Sequence, residues 1–244
     1  MTFDIEEVFG TGPWACHCGE LIDWPGACDR CAAKWQRQRE GEEAQAALST
    51  IPDRFVWAKF SAPEFAVRVN PLQSRAARLG FHDLLQPDRA KDSMVICGES
   101  GAGKTTIAVA LMHQLVSKLP DIGIRARFAS AIELGKSRVE CQYGSRPQIV
   151  EMCNRASILF LDDLGAESAS NKDPIVEVIQ ARHDANKVTV YTTWQTRPQI
   201  AQRYGGGVER RIYERGIVID VAKYEPGYKP LGGEPLRNAK GEIA

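Results

Sequence analysis

The sequence predicts an α/β fold with a mostly parallel sheet flanked by helices. Three observations predict it. Strand-like and helix-like stretches alternate from Ser93 to Val221, a glycine-rich segment joins the first strand of that series to its first helix, and a later apolar strand ends in two adjacent aspartates. A chain of 244 residues with 43% hydrophobic and 25% charged residues has enough apolar material to bury a core of ordinary size. Lys plus Arg and Asp plus Glu are equal at 31 each, so net charge points to neither nucleic acid nor membrane, and any basic surface must be local. The N-terminal stretch carries acidic residues and no apolar leader, and no run approaches a membrane span, so a cytoplasmic protein with no membrane partner is expected.

The chain divides into five parts. Residues 1–31 are rich in Cys, Gly, Pro and Trp and lack periodicity, as expected of a small module held by something other than a core. Residues 32–50 are polar and helix-prone, a linker helix interrupted at Gly41. Residues 51–92 carry scattered aromatics, prolines and a helical stretch from Pro71 to Leu79, a connector packed on the following domain. Residues 93–222 are the α/β core, and 223–244 a C-terminal tail.

Within the core, Met94 to Cys97 reads as a short strand and Thr105 to Leu119 as a buried helix, apolar on most sides. A second strand spans Arg125 to Ala129, followed by helices around 131–141 and 146–155. Ser157 to Leu161 has the continuous character of a central parallel strand. Asp173 and Pro174 predict an N-cap and a first-turn proline for a helix that buries Ile175, Val178 and Ile179. Lys187 to Thr193 and Gly216 to Val221 supply two more strands.

Gly98-Glu99-Ser100-Gly101-Ala102-Gly103-Lys104-Thr105 matches G-x-x-x-x-G-K-[ST] at every fixed position, and Thr106 follows it. Glycines let such a loop curl its N–H groups toward phosphate, and the helix opening at Lys104 adds its positive end. The pattern points to a P-loop that binds ATP, with Lys104 on the β- and γ-phosphates and the Thr105 hydroxyl on magnesium. The bland alternative is a glycine-rich turn. Asp162, at the end of the apolar strand, is the expected second magnesium ligand, and Asp163 the group that orients the attacking water. Two solvated strand-end carboxylates are the alternative, and an aspartate at 163 has a short reach for a base.

Cys16-His17-Cys18 and Cys28-Asp29-Arg30-Cys31 form C-x-C and C-x-x-C pairs. Two such pairs can wrap one tetrahedral zinc, whose bonds would fold a segment too small to fold itself. Unligated thiols in a tail are the competing reading, with His17 a reserve ligand. Cys97, Cys141 and Cys153 lie in apolar or helical settings and read as buried thiols.

Four stretches together resemble the DnaC/DnaI-type helicase loaders and the related IstB-type transposition ATPases of the AAA+ class: Ile51-Pro52-Asp53-Arg54-Phe55, the P-loop, Phe128-Ala129-Ser130-Ala131 with Glu133-Leu134, and Leu161-Asp162-Asp163-Leu164-Gly165-Ala166-Glu167. The resemblance covers roughly residues 50–221. It implies an ATPase with a reduced lid and an ATP-dependent homo-oligomer in which a neighbour's arginine completes the site. Arg211-Ile212-Tyr213-Glu214-Arg215 resembles the family's R-x-x-x-R segment; Arg215 is favoured as that arginine, with Arg211 on the same helix face, against two ion-paired surface residues. Two departures stand out. Thr192-Thr193-Trp194 places an indole where the family commonly has a water-sensing amide, leaving Thr193 to substitute and predicting slow hydrolysis; and the residues after Val221 are too few for a full lid, so no sensor arginine is assigned, although Arg237 is available.

Two basic clusters, Lys34-Trp35-Arg37-Arg39 and Arg125-Arg127-Lys136-Arg138, are candidate DNA contacts or ordinary solvated faces. The leading expectation is a loader whose zinc module grips a hexameric DnaB-type replicative helicase while the core binds ATP and single-stranded DNA. The alternatives are an IstB-like transposition helper on duplex DNA and a weakly hydrolysing nucleotide-binding adaptor.

Overall fold

The computed structural model describes residues 14–22, 26–86, 92–118, 125–140 and 147–224. Cys141, Arg237 and nearly all of the tail in which a reduced lid is expected lie outside these residues.

Strands β1 (Trp14–Ala15) and β2 (Leu21–Ile22) pair antiparallel, and helix α1 (Asp29–Leu48) follows. The expected interruption at Gly41 does not occur: α1 runs through it, at a cost of about 1 kcal/mol relative to alanine. The helix also begins earlier than residue 32, so Cys31 sits in its first turn. A short 3-10 turn (Asp53–Phe55) leads to α2 (Pro63–Arg68) and α3 (Pro71–Leu84). The Asn70 side chain caps α3 by accepting from Leu72 N–H at 2.9 Å, and the helix extends five residues past the expected Leu79 because Phe81 and Leu84 are buried.

The core is β3 (Ser93–Cys97), α4 (Lys104–Lys118), β4 (Ala126–Ser130), α5 (Ala131–Glu140), α6 (Gln148–Arg155), β5 (Ile158–Asp162), α7 (Asp173–Asp184), β6 (Val188–Thr193), α8 (Arg197–Tyr204), α9 (Gly206–Tyr213) and β7 (Gly216–Asp220). The five strands β3 to β7 form one parallel sheet in the order β4-β5-β6-β3-β7. β5 and β6 are buried at every residue, as strands covered by helices on both faces must be.

Strand alternation splits the core into two layers. Met94, Ile96, Ile158 and Phe160 face α4 and, with Ile107 and Leu111, pack against Ile51, Phe65, Val69, Phe81 and Leu84. The connector is therefore part of this apolar layer. Val95, Leu159 and Leu161 point the other way, toward Ile175, Val178, Ile200 and Ile212.

Asp173 is not an N-cap. A 3-10 turn at Ala169–Asn171 precedes α7 and Lys172 is already right-handed helical (φ −76°, ψ −21°), so the chain enters the helix without the extended residue that a capping side chain requires. α7 also carries Arg182, 1% exposed, whose Nε donates to Thr189 Oγ1 (2.9 Å) while its terminal nitrogens donate to the carbonyls of Cys153 (2.6 Å), Ala156 (2.7 Å) and Val188 (2.6 Å). One guanidinium thereby satisfies the C-terminal end of α6 and the entry to β6. Arg182→Met keeps the length but strips these acceptors of their donor, and should lower unfolding free energy by about 3 kcal/mol or more, measured by urea denaturation.

Candidate nucleotide site and cysteine cluster

The P-loop leaves the C-terminal end of β3, which lies between β6 and β7. Val221 N–H donates to Cys97 O at 2.7 Å, drawing the end of β7 across the loop's entry. A Cβ on Gly98 would lie 2.0 Å from the Val221 carbonyl oxygen, so only glycine fits there. Gly103, at φ +91°, turns the chain into α4, whose first residue is Lys104.

Lys104 is 6% exposed, and its ammonium donates to the carbonyls of Gly98 (2.9 Å) and Glu99 (2.7 Å). Burial pushes its pKa down, while Asp163 and Asp162 favour the charged form. Across the site, Asp162 ends β5 and is 3% exposed; its Oδ1 accepts from Thr192 Oγ1 at 2.6 Å and from Thr105 Oγ1 at 2.9 Å. Burial raises Asp162 to about 6, the Thr192 hydrogen bond opposing it. The candidate magnesium pair, Thr105 and Asp162, is thus already in contact.

Asp163 sits at φ +53°, its N–H donating to Thr192 Oγ1 at 2.9 Å. Asp163 lines a cavity of about 630 Å³ with Arg54, Phe55, Val67, Arg68, Ser100, Gly101, Gly103, Lys104, Thr105, Thr106, Trp194 and Tyr224. That volume suits a ligand of nucleotide size.

Thr193 does not reach this cavity. Its hydroxyl donates to Leu164 O at 2.7 Å and accepts from Gln195 N–H at 3.0 Å, and the residue is fully buried. Neighbouring strand residues face opposite ways, so only one of the two threonines can meet Asp162, and it is Thr192. Trp194, 49% exposed, takes the place beside it. Arg54, Arg68, Thr192 and Tyr224 were not singled out from sequence as site residues; only Arg54 carried a signal, through the approach segment.

Glu167 fixes the loop after β5. Its carboxylate accepts from Arg203 Nε (2.7 Å), Tyr204 OH (2.6 Å) and Gly165 N–H (3.1 Å).

The expectation that Arg211 and Arg215 share one helix face is not met. α9 ends at Tyr213, so Arg211 remains helical, with its guanidinium on Gly207 O (3.1 Å), whereas Arg215 lies in the turn to β7. There it contacts Asn186 Oδ1 (3.2 Å) and Asp92 Oδ2 (3.4 Å), at the end of β3 opposite the P-loop. Neither arginine lines the chain's own nucleotide cavity.

The Sγ atoms of Cys16, Cys18, Cys28 and Cys31 lie within 4.8 Å of one another; His17 is not part of the group. Four thiolates about 2.3 Å from a tetrahedral zinc stand roughly 3.8 Å apart, so the cluster fits zinc with slight contraction. Cys28 N–H donates to Cys16 Sγ at 3.3 Å. Backbone N–H groups lower both Cys16 and Cys18, the latter to about 6, toward the thiolate a metal needs, whereas Cys31 is raised by its hydrogen bonds to the Cys18 and Cys16 thiols and Cys28 is raised to about 12. Cys97 and Cys153 are raised by burial, as inert thiols are. Among the described residues no helix is long and apolar enough to cross a membrane.

A five-stranded parallel sheet with a P-loop leaving β3 and an acidic end on β5, the two strands separated by β6, defines an AAA+ nucleotide-binding core. The chain belongs to the IstB-like ATP binding protein family, which matches residues 79–206. The crystal structure of the DnaC helicase loader is similar (TM-score 0.57, 25% identity, 70% of this chain and 100% of that one). So is a putative primosome component from Streptococcus pyogenes serotype M3 (TM-score 0.57, 17% identity, 74% and 98%). The chromosomal replication initiator protein DnaA of Clavibacter sepedonicus is 28% identical over 141 residues, 55% of this chain and 28% of that protein. The chain spans about a third or less of the length of the curated relatives it matches. The core is therefore that of an AAA+ protein of the DnaC type, related to replication ATPases.

The raised Asp162 sets a pH dependence. Folding disfavours its ionised form, so stability falls as pH rises from the ordinary carboxylate range through about 6, and the full cost is carried above that. Asp162→Asn, without nucleotide or metal, should gain roughly 2–3 kcal/mol at pH 7.5 and show no gain near pH 4. Urea titrations at several pH values read this; equal curves at pH 7.5 would refute it.

Proposed function

We propose that this protein is an ATP-switched loader of a hexameric replicative helicase onto single-stranded DNA. The observation that carries the reading is the likeness to the DnaC helicase loader over that chain's whole length, joined to a complete P-loop whose Thr105 meets Asp162. In this reading the loop N–H groups from Gly98 to Thr106 and the Lys104 ammonium hold the phosphates. Thr105 and Asp162 would hold magnesium, which would offset phosphate charge; Asp163 would orient the attacking water, and Arg215 with Arg211 would act on the site of a neighbouring copy. Arg215 at the far end of β3 suits a role toward a neighbour, since it is remote from its own cavity. Zinc on Cys16, Cys18, Cys28 and Cys31 holds the module that meets the helicase.

Slow turnover belongs to the same reading. Thr192 is committed to Asp162 and Thr193 to Leu164, so the end of β6 offers the cavity an indole rather than an amide. A site of this kind is suited to a state that persists until an assembly forms. Trp194→Asn should raise steady-state ATP hydrolysis about tenfold, read by phosphate release; unchanged turnover would remove Trp194 as the cause.

The family match favours one second reading, a transposition helper that coats duplex DNA. Light scattering after gel filtration with a DnaB-type helicase, with and without ATP, separates the two. The loader reading expects a defined complex that Lys104→Ala renders insensitive to ATP. Absence of any complex, together with ATP-dependent filaments on duplex DNA, would overturn it.

A further inference from the structure

α1 carries a charge pattern that its own fold does not explain. Between Arg30 and Arg39 there are four cations and no carboxylate, and Glu40, Glu42 and Glu43 follow immediately. Helix dipoles favour the reverse order, anions near the N-terminus and cations near the C-terminus. α1 has only Asp29 acidic in its first turn and no basic residue in its last.

Pairing within the helix does not offset this. Glu40 and Glu42 accept from the uncharged amides of Gln36 and Gln38, at 2.9 and 3.0 Å. Arg30 is spread between Cys18 Sγ and Glu20, each 3.9 Å away. Among the described residues no ion pair holds Lys34, Arg37 or Arg39.

Packing does not explain it either. Residues 32–39 are exposed without exception, so this stretch of helix buries no face against the core or the cysteine module. A helix polar on every side and touching nothing is a bridge or a contact surface. Within it stands Trp35, half-exposed at 52%. Lys34 and Arg37, three residues apart, lie on one side of the helix; Trp35 and Arg39, four apart, form the adjoining row.

We infer that the exposed arm of α1, through Lys34, Arg37 and Arg39 with Trp35 between them, is a contact surface for single-stranded DNA. Unpaired cations on a flat, exposed helix fit a phosphate backbone, and an exposed indole among them offers a stacking platform to an unpaired base. An acidic protein would match the charge but leave the indole unexplained. The second basic cluster lacks this character, since Arg127 turns its Nε into the interior. The inference rests on single-stranded DNA being a partner, as proposed above, and adds the place where the chain meets it.

The test uses the full chain and fluorescein-labelled oligo-dT, with binding followed by anisotropy between 50 and 200 mM NaCl. K34E/R37E should weaken binding at least tenfold at the lowest salt, and the slope of log K against log salt should shrink by about 1.4, two backbone contacts being lost. W35A should weaken binding at least about fivefold with the slope unchanged. Thermal melting should match the parent, because no side chain in 32–39 is buried. A parent chain that binds while both variants bind equally well overturns the arm and leaves the partner intact. A parent that binds no oligonucleotide in any nucleotide state overturns both. Variants that keep DNA but lose the helicase in gel filtration make the arm a protein contact and overturn the inference.

Discussion

Asp162 holds the molecule's functional end together by belonging to three elements at once. It closes β5, accepts from Thr105 in the first turn of α4, and accepts from Thr192 near the end of β6. A buried carboxylate with two hydroxyl donors and no full positive charge in hydrogen-bond contact is an unfavourable arrangement for folding alone, as its elevated pKa records. Two neutral threonines can orient the carboxylate without neutralising it, and a group so held keeps its affinity for a cation. Thr192 also receives the Asp163 N–H, so the left-handed turn after β5 and the bond to Asp162 share one hydroxyl.

β3 supplies the second constraint because both of its ends are occupied. At one end Gly98 lies so close to Val221 that the P-loop and the end of β7 form one tight junction. At the other, Asp92 N–H donates to Arg215 O at 3.2 Å, and Ser93 Oγ donates to Ile212 O at 2.7 Å. The turn that carries Arg215 is thereby fastened to the same strand that carries the loop. The two junctions are thus tied through one strand five residues long.

Much of this core was legible in the sequence, because its signals are local. Continuous apolar strands, a helix apolar on most sides and a glycine pattern with fixed spacing each report on a few adjacent residues. What escaped depended on contacts between distant segments. Whether Thr192 or Thr193 meets Asp162 is decided by the register of β6 on β5, which sets the threonine that shares a sheet face with Asp162, and adjacent threonines carry no mark of that. Arg68 and Tyr224 reach the cavity from a part of the connector beyond the approach segment and from beyond the end of β7, and neither stretch carries a motif. The capping role expected of Asp173 failed because the preceding residues were already helical, and the shared face of Arg211 and Arg215 failed because α9 stops at Tyr213. Gly41 shows the opposite limit: a weak local preference yields to a long helix anchored at both ends.

The anchoring also explains why the N-terminal part can be so small. Its apolar cluster of Cys16, Ile22 and Cys28 is separate from both layers of the core, and so few residues cannot offset the entropy of ordering the hairpin. Four thiolates on one ion, as proposed above, would supply what the apolar cluster lacks, and Cys31 would carry that fixation into α1 because it stands in the helix's first turn. The other end is held by Ala47, Leu48 and Ile51 in the main apolar layer. Between these two anchors the helix needs no packing partner, so its sequence is released from the requirement for a buried face. An overall neutral chain can then concentrate cations on that span while the acidic residues lie beyond it, and composition alone hides the separation.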